Sequence, residues 1–285
     1  MKKLVMLLLC TGLLVACSSS NYSVKVSDGS STLISGEGIE VTKQDYFEQL
    51  LDSYGSSKVL NDVLTAIADK EITNQKDIDS LLKEREETYT KYANGDLDSY
   101  AKSMGYKSKD EYIKEALLPD VKQELLRNKY IKENLDHLLS EYQVVRFKKI
   151  IVSKESTALA IISNSKDEKS FNEQMKKYSD KAEDAGIVTK NSSLDENLTK
   201  KLETLSKIDK DGVYSDSIAL TDNTFAVLYI YDTKREKKDE YINALTSDQG
   251  LQTDIESIYL KKYNFKVNDS KIKDAIKQIS SEYIE

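Results

Sequence analysis

Apolar residues recur every three or four positions through the first half of the chain. Phe47, Leu50, Leu51 and Tyr54 share a helical face, with Thr42 and Asp45 as an N-cap and acidic first turn and Gly55 as a stop. A second helix from about Lys58 carries Val59, Leu60, Val63, Leu64, Ile67 and Ile72, and a third runs from Ile78 to Tyr92. Ser108 and Glu111 have capping-box spacing, and Pro119 either starts the following helix or kinks a continuous one. Ile131, Leu135, Leu138 and Tyr142 then form one stripe.

The period changes near Gln143. Val144 to Val152 is β-branched and aromatic over the length of a strand. Helical stretches follow at Thr157–Ile162 and Ser170–Tyr178, then a short strand at Gly186–Thr189 and a helix marked by Leu198, Leu202 and Leu205. Turns at Asp211-Gly212 and Asp222-Asn223 lead into strands over Val213–Leu220 and Thr224–Tyr231. From Glu236 the helical period returns, through Leu245, Leu251, Ile255, Ile258 and Tyr259 and then Ile272, Ile276 and Ile279. The pattern predicts an α+β, mostly helical protein in which a small α/β unit, residues 143–234, is inserted between helical segments 39–142 and 235–285 that pack on each other.

Composition narrows the chemistry. With 10 Gly and a single Pro, the chain suits long helices rather than a Gly/Pro-rich β-sandwich. His137 is the one histidine, which excludes any mechanism needing two imidazoles and any multi-His metal site; it lies off the apolar stripe and reads as a solvated surface residue. Carboxylate groups such as Glu84, Glu86 and Glu87 read as a solvated helix face. No phosphate-cradling glycine loop occurs, so no cofactor and no metal are expected. A net charge of −7 argues against nucleic-acid partners.

The N-terminus reads as a leader. Lys2 and Lys3 precede an apolar run, Leu4 to Val15, too short to span a bilayer. It ends in Leu14-Val15-Ala16-Cys17 and then Ser18-Ser19-Ser20, which resembles the bacterial lipobox. On that reading residues 1–16 are a lipoprotein signal peptide and Cys17 is the lipidation site, carrying diglyceride and palmitate. Residues 17–38 are then a Ser/Gly-rich tether, and the body sits on the extracytoplasmic face of a bacterial cell membrane. Cys10 leaves with the leader, so no thiol remains for a disulfide or a cysteine nucleophile. The mature chain keeps 40 basic and 49 acidic residues, a charge of −9.

The order strand, two helices, short strand, helix, two strands resembles the parvulin-type peptidyl-prolyl isomerase domain. With the lipobox and the flanking helices, the whole chain resembles the PrsA-type foldase lipoproteins, relatives of the periplasmic chaperone SurA. Several patches carry the likeness: Ile39–Lys43 with Tyr46-Phe47, Val59-Leu60-Asn61 with Ile67, Ser170–Asp180, Asp211–Ser215, and Phe265–Asp269. Ser170–Asp180, similar to the helix before the parvulin active-site loop, is the most specific of them. The resemblance implies a membrane-anchored foldase or chaperone for secreted proteins, with unfolded or partly folded chains as partners; pairing into a homodimer stays open.

The departures bear on catalysis. Active parvulins carry one His on the first strand and one on the last; here Lys149 and Ala226 stand at those positions. The family's loop Cys or Asp falls near Asp180 or Lys181, its Gly-Gly is Ala185-Gly186, and its aromatic proline pocket has no counterpart among Leu198, Leu202 and Leu205. Isomerases lower a rotation barrier of roughly 20 kcal/mol by desolvating and polarising the X–Pro amide. A lysine in the pocket brings in a charge unless it turns outward. No catalytic residue is therefore assigned, and weak or absent turnover is expected. Two alternatives remain: an active isomerase with atypical site residues, and a solute-binding lipoprotein of a transporter. The tyrosines at 46, 54, 89, 92, 100, 106 and 112 are ordinary half-buried packing or part of a surface for unfolded chains.

Overall fold

A computed structural model describes residues 26–284; the leader and Cys17 lie outside the described residues. The fold is α+β and mostly helical, and the described chain divides into two units. One combines the residues up to Asn61 with the tail from Asn264; the other is Asp62–Tyr263.

In the first unit, Thr32–Gly36 (β1) and Ile39–Thr42 (β2) form an antiparallel ribbon. Gly38, at φ +74°, takes the left-handed conformation the tight turn requires. Part of the range 17–38 read as a tether is therefore a strand, because Leu33-Ile34 and Ile39-Val41 flank a glycine turn. Thr42 caps Lys43–Leu50 (α1): its hydroxyl accepts from the Asp45 amide at 3.1 Å, and the Asp45 carboxylate accepts from the Thr42 amide at 2.9 Å. Gly55 does not stop this helix. A π-helical turn, Leu51–Gly55, carries it into Ser56–Glu71 (α2). Gly55 is buried, and a Cβ there would lie 3.4 Å from Leu51 and 3.7 Å from Ile272 of the tail helix, so its small size serves packing.

The second unit begins with helices. Gln75–Tyr92 (α3), Leu97–Ser103 (α4) and Lys109–Tyr112 (α5) lead through a π turn, Ile113–Leu117, into Leu118–Glu133 (α6) and Leu135–Glu141 (α7). Pro119 sits directly after the π turn within a helical run that is continuous from Lys109 to Glu133, so of the two expectations the continuous helix holds, with the π turn as the local irregularity. The Ser108 hydroxyl accepts from the Glu111 amide at 3.2 Å, while the Glu111 carboxylate reaches the Lys107 amide rather than that of Ser108, a shifted version of the expected box. The stripe from Ile131 to Tyr142 is broken at Asn134, between α6 and α7, yet Ile131, Leu138 and Tyr142 are all buried.

The sheet follows, with Val145–Val152 (β3), Glu155–Asn164 (α8), Glu168–Lys177 (α9), a 3-10 turn at Ser179–Lys181 and Ala182–Val188 (β4). Next come Glu196–Thr199 (α10), Leu202–Leu205 (α11), Gly212–Val213 (β5), Ile218–Ala219 (β6) and Phe225–Ile230 (β7). The order is β4-β3-β7-β5, with β6 also on β7, and every pairing is antiparallel. The single strand expected over Val213–Leu220 is instead two short pieces: the Tyr214 amide still donates to the Leu228 carbonyl at 2.9 Å, and the chain bends away at Ser215 and Asp216. β4 starts four residues earlier than expected: its Ala-Glu-Asp opening is polar because it lies on an edge.

Both faces of the sheet are covered. Alternate residues Val145 and Phe147 of β3 join Ala226, Leu228, Leu198, Leu202 and Leu205 in one core. Ile150, Val152, Val227 and Tyr229 meet Ala158, Ile161 and Phe171 of α8 and α9 in the other, with the Phe171 and Tyr229 rings 5.4 Å apart.

Lys238–Thr246 (α12) and Gln249–Lys262 (α13) then return to pack on α6. Ser270–Ile279 (α14) belongs to the first unit, where Asp269 caps it through the Ile272 amide and Ile276 is fully buried. The segment 235–285 is thus shared between the units, and the division does not fall at 143 and 234. One reason is a buried polar knot. Asp248 caps α13 through the Leu251 amide at 3.0 Å and also accepts from Asn191 at 2.8 Å and from Thr189, just past β4.

Candidate functional site

The strand register settles where the two positions aligned with the parvulin histidines lie. Lys149 pairs with Leu228 and Ile151 with Ala226, so Lys149 and Ala226 are diagonal neighbours on one face of adjacent strands. The two positions are thus neighbours in space, and their surroundings differ. Ala226 is fully buried, and Leu198 of α10 and Leu202 and Leu205 of α11 close over the same core without solvent contact of any consequence. The Lys149 ammonium turns to the neighbouring edge strand and meets the Glu183 carboxylate at 2.7 Å. The charge is held by a partner on β4 instead of being left in the apolar core. Of these two positions, one is a methyl group and the other an ion-paired ammonium.

The neighbouring positions agree. Asp180 and Lys181 lie in the 3-10 turn between α9 and β4. Gly186 lies within β4 at φ +65°, beside a register shift opposite Phe147 and Lys148. That bulge re-aims the edge instead of opening it.

The opposite face of β3 carries charge. Lys148 meets Glu168 at 2.7 Å and Asn172 at 3.0 Å, and the guanidinium of Arg146 lies 4.9 Å above the ring of Tyr231 and pairs with Glu240. The Tyr231 hydroxyl donates to Asp184 at 2.7 Å, and burial, with that carboxylate second, pushes its pKa up to about 12. Tyr231 is therefore a neutral donor at physiological pH. The group ties β3, β4 and the exit of β7 together and holds no reactive base.

The helical part brings together five of the tyrosines singled out by sequence. Tyr112 is buried, with Tyr89, Tyr100 and Tyr106 packed against it at centroid distances of 6.1, 5.9 and 5.1 Å. Tyr92 stands edge-on to Tyr100 at 5.9 Å and is 74% exposed. Burial, with the other rings second, pushes the Tyr112 pKa up to about 12. Most of the group is packing, as its half-buried spacing predicts, and Tyr92 is the member that faces water. Tyr46 and Tyr54 are separate from this group and exposed. His137 is on the surface of α7, 3.4 Å from Glu141, and touches none of these groups. Sequence reasoning missed Glu183 as the partner of Lys149; only the β3–β4 register reveals it.

No family model matches the chain, and no curated protein matches it. Solved structures do. The chain is similar to the PrsA of Bacillus subtilis, at 22% identity over 88% of this chain and 99% of that one with a TM-score of 0.41. It is similar to a Bacillus cereus peptidylprolyl isomerase (PrsA), at 15% identity over 89% of this chain and 100% of that one with a TM-score of 0.45. The foldase protein PrsA of Streptococcus pneumoniae aligns at 17% identity over 87% of this chain and 98% of that one with a TM-score of 0.39.

Proposed function

We propose that the chain is a foldase or holdase, anchored through Cys17 to the extracytoplasmic face of a bacterial membrane, that captures secreted proteins as unfolded or partly folded chains. The mechanism is reversible capture of apolar segments, without ATP or metal. The observation that carries the reading is the state of the parvulin-like face. Ala226 is buried under Leu198, Leu202 and Leu205, and Lys149 is paired with Glu183. A scaffold kept without its reactive pair is a scaffold used for binding. The order of sequence patches shared with the foldase lipoproteins, from Ile39 to Asp269, supports the same reading. The transporter alternative lacks its architecture: it needs two lobes with repeated parallel βα units, and both sheets among the described residues are antiparallel.

The test is suppression of aggregation of an unfolding client by the full chain, run beside isomerisation of an X–Pro peptide. Suppression with negligible isomerisation is expected; turnover comparable to an active parvulin would favour the isomerase. A companion variant removes 143–234 behind a short Gly/Ser bridge. The ends to be joined are close, since the Tyr231 amide donates to the Arg146 carbonyl at 3.1 Å and the Arg235 side chain reaches the Val144 carbonyl. A folded deletion that loses all suppression, with the isolated sheet unit retaining it, would move the activity to the sheet unit.

A further inference from the structure

We propose that Met104 is an oxidation site: a peroxide converts its thioether to the sulfoxide in the folded chain, and the fold is kept. The inference does not depend on the foldase reading. The described residues contain no cysteine and the whole chain no tryptophan, so the side chains that would compete best for an oxidant are absent. Two methionines are left among the described residues, Met104 and Met175, and their surroundings differ. Met104 is 58% exposed, whereas Met175 of α9 is half-buried and packed against the core that holds Phe171 and Tyr229.

The reaction needs the sulfur lone pair and access for the peroxide. The sulfur attacks one peroxide oxygen, and an S–O bond forms while the O–O bond breaks. The departing oxygen takes up the proton of the transferred hydroxyl and leaves as water, so sulfur is oxidised, peroxide is reduced, and no further reactant is required. The fold tolerates the product because the Met104 side chain carries none of the local structure. Met104 ends α4, and that end is closed by backbone alone. The Met104 amide donates to the Tyr100 and Ala101 carbonyls, the Gly105 amide to that of Lys102 at 3.1 Å, and the Tyr106 amide to that of Ala101 at 3.1 Å, with Gly105 at φ +93°. The buried residues of α4 are Leu97 and Ala101. A sulfoxide at Met175 would instead press a polar oxygen against an apolar core. What changes at Met104 is the surface. One helical turn before it, Tyr100 meets the exposed ring of Tyr92 at 5.9 Å, so the sulfoxide replaces an apolar surface group with a polar one within a turn of the tyrosine group.

The experiment treats the full chain with hydrogen peroxide, with and without urea, and follows each methionine by peptide mass spectrometry, with Met104→Leu and Met175→Leu in parallel. In the folded chain Met104 should gain one oxygen about threefold or more faster than Met175, and the two rates should converge in urea. The singly oxidised chain should keep its circular dichroism spectrum and its urea midpoint. Met104→Leu should remove the fast oxygen uptake and Met175→Leu should leave it in place. Treatment with a methionine sulfoxide reductase and a thiol should return the starting mass. Oxidation of Met175 as fast as Met104 in the folded chain, a difference that persists in urea, or a spectrum lost with the first oxygen overturns the proposal. The mapping of the unmodified chain decides the question whether or not a variant folds.

Discussion

Replacing Glu71 tests how the early and late helices of the larger unit are held together. Glu71 ends α2, and its carboxylate accepts from Lys129 of α6 at 2.9 Å, from Lys262 of α13, and from the Tyr263 hydroxyl at 3.1 Å. The Lys262 contact, followed by that of Lys129, lowers its pKa from 4.5 to about 2. A depression of that size corresponds to at most about 3.5 kcal/mol at roughly 1.4 kcal/mol per unit. Solvent reaches the cluster through Lys262, which is 55% exposed, so screening brings the net contribution to ~1–2 kcal/mol. Because the folded pKa lies below the unfolded one, this stability is present above pH 4.5 and is lost as the pH falls towards 2. Glu71→Gln keeps an acceptor oxygen but strands two ammonium groups. The variant should be ~1–2 kcal/mol less stable at pH 7 by urea unfolding, and the gap should close between about pH 4.5 and 2. A gap that is absent at pH 7, or constant down to pH 2.5, would refute the reasoning.

The other predictions concern the anchor, the closed face and the polar knot. Cys17→Ala should leave the chain without lipid and reduce its membrane retention; mass spectrometry of membrane-extracted protein checks for a diacylglyceryl group at Cys17. Ala226→His puts a ring into a fully buried site and should destabilise by about 1–3 kcal/mol without creating isomerase turnover; an unchanged urea midpoint would show that the face is open. Gly250→Ala places a Cβ 2.3 Å from the Asn191 amide nitrogen. Despite a helix-propensity gain of ~1 kcal/mol it should lower the melting temperature, because the bond from Asn191 to Asp248 must break.

Much of this architecture can be read in the sequence, and the misses have common causes. β7 announces itself through an unbroken apolar run, because it is buried on two faces, and β3 through its β-branched and aromatic residues despite Arg146, Lys148 and Lys149. β4 is half hidden because its edge position is marked by Glu183 and Asp184 instead of apolar residues. Gly55 looks like a stop, but the π turn absorbs it; local sequence does not reveal that Ile272, more than two hundred residues on, needs the space. Ile258 and Ile279 fit the helical stripe and are nevertheless exposed. At the candidate site, the resemblance singled out Lys149 and Ala226, whereas their diagonal placement and the Glu183 partner required the register. Asp248 stands where an N-cap signature would place it, but Thr189 and Asn191 are distant in sequence and only the tertiary fold supplies them.

The antiparallel pairing of β3 with β7 places the entrance and the exit of the sheet unit side by side, at Arg146 and Tyr231. A segment whose two ends meet leaves the path of the flanking helices independent of its own length. Its interior can drift in sequence without altering the distance its neighbours must span. Substitutions inside it still have to respect its contacts with the later helices, such as those of Thr189 and Asn191 with Asp248.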